Sequence, residues 1–248
     1  MGKILKELSG HSGSKIYLIE NESQILVRKI GNVDRNYERM VKLCTNGFRV
    51  PKIYKYVAGE YLDMEYIRGL DMKNYLIHNN VNLLTNYICD IIDNLASIGE
   101  DESKDYTETY RKKLSFISGN EGFTFTKDEL IGKLPNMLPQ TMYHGDLTLE
   151  NIIYTNPSFC MIDPLTSEYD SYIFDIAKLR QDLECKWFIR KLNVKIDIKL
   201  QRIQDKLQQS YPQAFNDNFL ILMLMRVYQY CDNNDKQFIV NEANRLWK

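Results

Sequence analysis

Residues 144–163 read His144-Gly-Asp146-Leu-Thr-Leu-Glu-Asn151-Ile-Ile-Tyr154-Thr-Asn-Pro-Ser-Phe159-Cys-Met-Ile162-Asp163. Two short apolar runs, Ile152–Tyr154 and Phe159–Ile162, flank a turn. A polar loop precedes the first run and an aspartate ends the second. Asp146 stands five positions before Asn151, and Asp163 follows twelve positions later. An aspartate, an amide and a second aspartate at these intervals form a set of oxygen ligands. Taken singly, each is an ordinary turn or cap residue. Their joint spacing argues for chemistry.

Phosphoryl transfer uses such a set. One carboxylate orients the attacking hydroxyl and accepts its proton, while an amide oxygen and a second carboxylate hold Mg²⁺ against the phosphates. Oxygen donors in an incomplete cage suit Mg²⁺, which keeps water and phosphate ligands. In this reading Asp146 is the catalytic group and Asn151 and Asp163 are the metal ligands.

Working outward, the chain before this stretch is β-rich. Lys15–Ile19 and Gln24–Ile30 are rich in β-branched and aromatic residues and predict a hairpin over 15–30. Tyr37, Met40, Val41 and Cys44 fall at i, i+3, i+4 and i+7, which predicts a helix from Asp34, its cap, to Cys44. Gly47 ends that helix, and Pro51 blocks its extension. Strand-like runs follow at Ile53–Val57 and Tyr61–Ile67. The periodicity from Leu83 to Ile98 predicts a long amphipathic helix ending at Gly99. Residues 101–140 predict short helices and loops. Ile173 to the C-terminus reads as helical, broken near Pro212.

The pattern His-x-Asp-x-x-x-x-Asn, an apolar run and a further Asp resembles the catalytic and metal loops of the kinase fold. The form His144-Gly-Asp146 resembles the aminoglycoside phosphotransferase and choline kinase-like branch; protein kinases carry Arg in the middle. Tyr172-Ile-Phe-Asp175-Ile-Ala-Lys-Leu179 is similar to that branch too, where the Asp supports the catalytic loop. His144 and Asp175 are therefore expected to be structural.

The resemblance implies an α+β, two-lobed protein-kinase-like fold. A small β-rich N-lobe, 1–66, would bind nucleotide, and a larger, mostly helical C-lobe, 67–248, would carry catalysis and the substrate. It implies ATP and Mg²⁺ as cofactors. It places Gly10, Ser12, Gly13 and Ser14 in the nucleotide loop and Lys29 on the phosphates, with Glu38 as its ion-pair partner. The backbone at Glu65 and Ile67, in the hinge Met64–Gly69, would meet adenine. Because strand side chains alternate faces, a slip of one residue would exchange Arg28 and Lys29.

The metal Asp is followed by Pro164, where protein kinases have Phe-Gly, and no A-P-E segment closes an activation loop. The resemblance thus implies a small-molecule kinase acting on a hydroxylated acceptor. The glycine-poor nucleotide loop leaves one alternative, a catalytically silent kinase-fold binding protein.

Composition sets the outer bounds. The 248 residues hold 44% hydrophobic and 26% charged side chains, with 32 basic and 33 acidic residues for a net charge of -1. A nucleic-acid partner would ask for a clearly basic domain, and a polycationic acceptor for an acidic one. No apolar stretch is long enough to span a bilayer, and Met1–Glu7 does not resemble a signal peptide, so the expectation is a cytoplasmic protein with no membrane partner. The five scattered cysteines and three histidines form no metal or disulfide pattern.

Overall fold

A computed structural model describes residues 3–8, 14–21 and 24–248. The chain clusters into two compact units, neither continuous in sequence. The first holds 1–75 and 150–167, the second 76–149 and 168–248.

The first unit is built on a five-stranded antiparallel sheet in the order β1-β2-β3-β5-β4. Its strands are β1 (Lys3–Leu8), β2 (Lys15–Asn21), β3 (Gln24–Ile30), β4 (Ile53–Val57) and β5 (Tyr61–Glu65). The edge strand β1 was not expected from sequence. All but its last residue are exposed, so it lacks the apolar alternation by which a strand is read; its pairing with β2 makes it one. Val33, Met40, Leu62 and Met64 form a core between the sheet and α1 (Asp34–Thr45), edged by Val27, Tyr37, Ile53 and Tyr56.

The inward face of α1 differs from the one the apolar spacing predicts. Asn36, Arg39, Met40 and Leu43 are buried, whereas Val41 and Cys44 are exposed. Two polar residues occupy the inner stripe, so hydrophobic periodicity alone misplaced it. Asp34 does not cap the helix. Val33 stands at that position, and Asp34 Oδ1 accepts from Tyr56 Oη and Gly59 N, both at 2.8 Å. Gly47 does end the helix: its φ is +83°, and the amides of Gly47 and Phe48 return to the carbonyls of Cys44 and Leu43.

A second sheet of the first unit joins β6 (Leu70–Asp71), β9 (Ile152–Tyr154) and β10 (Phe159–Met161) in the order β10-β9-β6. Gly69 just before it has no substitute. A Cβ there would lie 2.1 Å from the Tyr154 carbonyl oxygen. Tyr75, from α2 (Met72–His78), packs against Tyr154 and Phe159.

The second unit is mostly helical. Its helices are α3 (Val81–Ser97), α4 (Thr107–Lys113), α5 (Lys127–Lys133), α6 (Tyr172–Leu183), α7 (Asp197–Ser210), α8 (Asp217–Tyr228) and α9 (Asn233–Leu246). All twelve residues of α6 are buried, because α3, α7 and α8 pack around it. The two-stranded ladder of β7 (Gly99–Asp105) and β8 (Met137–Thr141) corrects the expectation of only short helices and loops there. The segment Gly-Glu-Asp-Glu-Ser-Lys-Asp has a loop's composition and becomes a strand through a partner more than thirty residues away. No helix among the described residues is long and apolar enough to cross a membrane.

Candidate active site

In the second unit, residues 144–149 sit over α6. The Asp175 carboxylate accepts two successive backbone amides, His144 N at 2.5 Å and Gly145 N at 2.9 Å. Asp182 accepts from Leu149 N at 2.7 Å. Gly145 has φ +89°, a conformation glycine adopts without strain, so the loop turns where the sequence has no side chain. His144 is fully buried, and its Nδ1 accepts from Asp146 N at 3.3 Å. Both residues are structural in their contacts, as expected.

Asp146 keeps 33% of its side chain exposed and lies 3.1 Å from the buried Lys178 ammonium. Burial pushes its carboxyl up. The nearby charges of Lys178 and Arg226, with the Lys178 hydrogen bond and His144, outweigh that and hold it below the ordinary aspartate value. Asp146 is thus ionised at neutral pH and partly open, as a proton acceptor must be.

Lys178 escaped the sequence reading, although a signal was present. Asp175, Lys178 and Asp182 stand at i, i+3 and i+7, one stripe of α6 facing the loop. A template of apolar residues alone passes over this polar stripe.

In the first unit, strand alternation separates Arg28 from Lys29. Arg28 lies on the sheet face with Tyr61 and Asp63, making a bidentate pair to Asp63 at 2.6 Å for each bond. Lys29 points to the face that carries Val27 and α1. It is 2% exposed, and its Nζ reaches Asp163 Oδ1 at 2.5 Å. Asn36 Nδ2 donates to the same oxygen at 2.9 Å and to the Pro164 carbonyl at 2.8 Å.

Glu38 stands elsewhere. It is exposed, and its carboxylate accepts from Thr166 Oγ1 at 3.3 Å. The expected Lys29–Glu38 pair is therefore replaced by Lys29–Asp163. The residue that α1 contributes is Asn36, two positions earlier and on the buried stripe.

Asn151 and Asp163 are brought together by the β9–β10 hairpin. The amide of Ile162 donates to the Asn151 carbonyl at 2.9 Å, so the two stand at adjoining strand ends. Asp163 has φ +54°, a left-handed conformation that Asp tolerates better than most residues. Its side chain is 39% exposed, so Lys29 and Asn36 do not enclose it. One carboxylate and one amide match the short protein ligand set that Mg²⁺ takes beside phosphate oxygens.

Of the other expected nucleotide residues, Gly10, Ser12 and Gly13 lie outside the described residues. Ser14 directly precedes β2 and sits beside Gly31. Glu65 ends β5. Its amide donates to the Lys52 carbonyl at 2.8 Å, and its carboxylate, lowered by the Arg49 hydrogen bonds, is held by that guanidinium at 2.8 Å. Ile67 lies in the irregular segment that follows.

The fold is protein-kinase-like, α+β, and is the one that aminoglycoside phosphotransferases share. Among the solved structures like it, a candidate fructosamine-3-kinase from Haemophilus somnus 129PT aligns at a TM-score of 0.64 and 14% identity, over 100% of this chain and 92% of its own. The aminoglycoside phosphotransferase APH(4)-Ia, in a ternary complex with AMP-PNP and hygromycin B, aligns at 0.64 and 11%, over 99% and 92%. A candidate aminoglycoside phosphotransferase from Ralstonia eutropha JMP134 aligns at 0.57 and 15%, over 99% and 90%. No family model matches the chain, and no curated protein matches it.

Proposed function

We propose that this chain is a kinase of a small hydroxylated metabolite, with ATP as donor. The observation that carries the reading is the meeting of Lys29 with Asp163 at 2.5 Å. A buried lysine on the middle strand finds the carboxylate at the end of the β9–β10 hairpin, which is the pairing a phosphate-binding lysine and a metal-binding aspartate would make before nucleotide arrives. The shared fold of a phosphotransferase crystallised with AMP-PNP supports the same donor.

In the reaction, the acceptor hydroxyl oxygen bonds to the γ-phosphorus. The bond from that phosphorus to the β,γ-bridging oxygen breaks, and its electron pair leaves on ADP. The hydroxyl proton passes to Asp146. Lys29 neutralises the α- and β-phosphates, and Ser14 would meet the nucleotide. Glu65 and Ile67 offer backbone groups to adenine. Asn151 and Asp163 would hold Mg²⁺, which supplies charge neutralisation at the phosphoryl oxygens. The chain needs no nucleic acid or membrane partner for this, and a cytoplasmic setting supplies Mg-ATP.

The test is ADP release from Mg-ATP across amino alcohols, sugars, sugar acids, nucleosides and aminoglycosides, with Asp146→Asn as the blank. Release that requires one acceptor and vanishes in the blank supports the reading. If Mg-ATP binds but no acceptor is consumed, the silent binding protein is the better account. If Mg-ATP does not bind, both fail.

A further inference from the structure

The second unit holds, near Asp146, a cation that its one ion-paired lysine does not account for. Arg226, near the end of α8, lays its guanidinium over the buried Tyr169 ring at 5.6 Å. Its side-chain hydrogen bond is a weak one, from Nη1 to Met223 Sδ at 3.6 Å. Among the described residues no carboxylate forms an ion pair with it, yet it is close enough to Asp146 to stabilise that group's charge.

The acids on either side of Tyr169 in the chain are engaged elsewhere. Asp170 is taken by Lys104, Tyr106 and Gln140, and Glu168 by Lys112 and Lys113. Asp175 accepts the two loop amides. Lys178 is already bound to Asp146 and to Gln181 Oε1 at 3.2 Å. Arg226 is only partly buried and, with no ion pair among the described residues, can meet a ligand.

An aromatic-backed guanidinium is rigid and presents paired N–H donors that fit a carboxylate or a phosphate. Beside a proton-accepting aspartate, such a group reads the charge of whatever brings its hydroxyl there. We propose that Arg226 is an anion subsite beside Asp146, and that the acceptor carries a carboxylate or phosphate near the hydroxyl that is phosphorylated. The inference rests on the kinase reading and narrows it. An acceptor bearing ammonium groups would instead have to approach two cations.

The experiment uses matched acceptors: glycerol and glycerate, glucose and glucuronate, glucose and glucose 6-phosphate, with kanamycin as the cationic contrast. ADP release is followed for the wild type, Arg226→Met and Arg226→Lys, with circular dichroism to confirm folding. The anionic member of at least one pair is expected to be favoured in kcat/KM by about tenfold or more, the scale of one charge-assisted contact. Arg226→Met should abolish that preference by raising the acceptor KM while leaving the ATP KM in place, and Arg226→Lys should restore part of it.

Equal or better use of the neutral or cationic members overturns the proposal. So does a rise in the ATP KM instead of the acceptor KM, which would make Arg226 a γ-phosphate ligand. Failure of every anionic probe to bind the Mg-ADP complex by calorimetry overturns it as well. Loss of Mg-ATP binding altogether is a different result: it removes the kinase reading and this inference with it. A preference for anionic acceptors that survives Arg226→Met removes the inference alone.

Discussion

Asp146 is where the single-residue arguments converge. Asp146→Asn keeps the shape and removes the proposed proton acceptor, so kcat should fall by about a hundredfold to ten-thousandfold while Mg-ATP affinity, read by calorimetry, holds. Lys178 supplies a subtler test. Burial is the largest influence on the Asp146 carboxyl and raises it; the surrounding cations reverse the sign. With its folded value depressed, Asp146 keeps its charge through the ordinary carboxylate range and loses it only at pH below that range. Lys178→Met leaves burial less opposed. The acid limb of the pH–rate profile should then move up towards neutrality by about one pH unit or more, and an unmoved limb would show that Lys178 does not set the charge of the base. At this scale the sequence was informative wherever spacing along the chain carried the information. The intervals among Asp146, Asn151 and Asp163 are what the proposed site rests on. Lys178 and Asn36 were missed because each is polar on a buried helical stripe, the place where an apolar template expects none.

The element scale belongs to two helices that do more than pack. On α1, Asn36 replaces the expected glutamate and fixes the Asp163–Pro164 turn through two hydrogen bonds. Asn36→Ala should leave α1 intact by circular dichroism yet weaken Mg²⁺ in a titration with ATP present, by about three- to tenfold for one lost charge-assisted bond. On α6, the stripe of Asp175, Lys178 and Asp182 holds residues 144–149 while the remaining faces fill the core. Ile176 there is fully buried. Ile176→Ala should therefore destabilise the protein by about 2–5 kcal/mol, measured by denaturant unfolding. Long elements with strong periodicity, such as α3 and the β2–β3 hairpin, were legible from sequence. The strands β1 and β7 were not, because pairing rather than local pattern made them.

For the whole molecule, the notable fact is that the chain moves between its two compact units three times, after 75, 149 and 167. The first unit is completed only when residues 150–167 join it. They bring β9 to β6 and Asp163 to Lys29. A fragment of residues 1–75 would leave a buried lysine without its carboxylate, a costly state. Expressed alone, it should show poor amide dispersion and little cooperative unfolding. A well-folded 1–75 would mean the sheet and α1 suffice without the hairpin. Composition and charge had set bounds at this scale, but the discontinuity of the units has no local signature; it depends on contacts over more than a hundred residues.

The backbone at Gly145 also bears on descent. Protein kinases place arginine at this point of the loop. In this chain the position has φ +89°, and its amide is committed to Asp175. A single codon change to arginine would force a β-carbon into a region that L-residues rarely occupy and strain the contact that holds the loop to α6. The two forms of the loop are therefore separated by a valley that one mutation does not cross: the backbone has to be reset before the arginine becomes an advantage, which is reason for lineages bearing either form to stay apart.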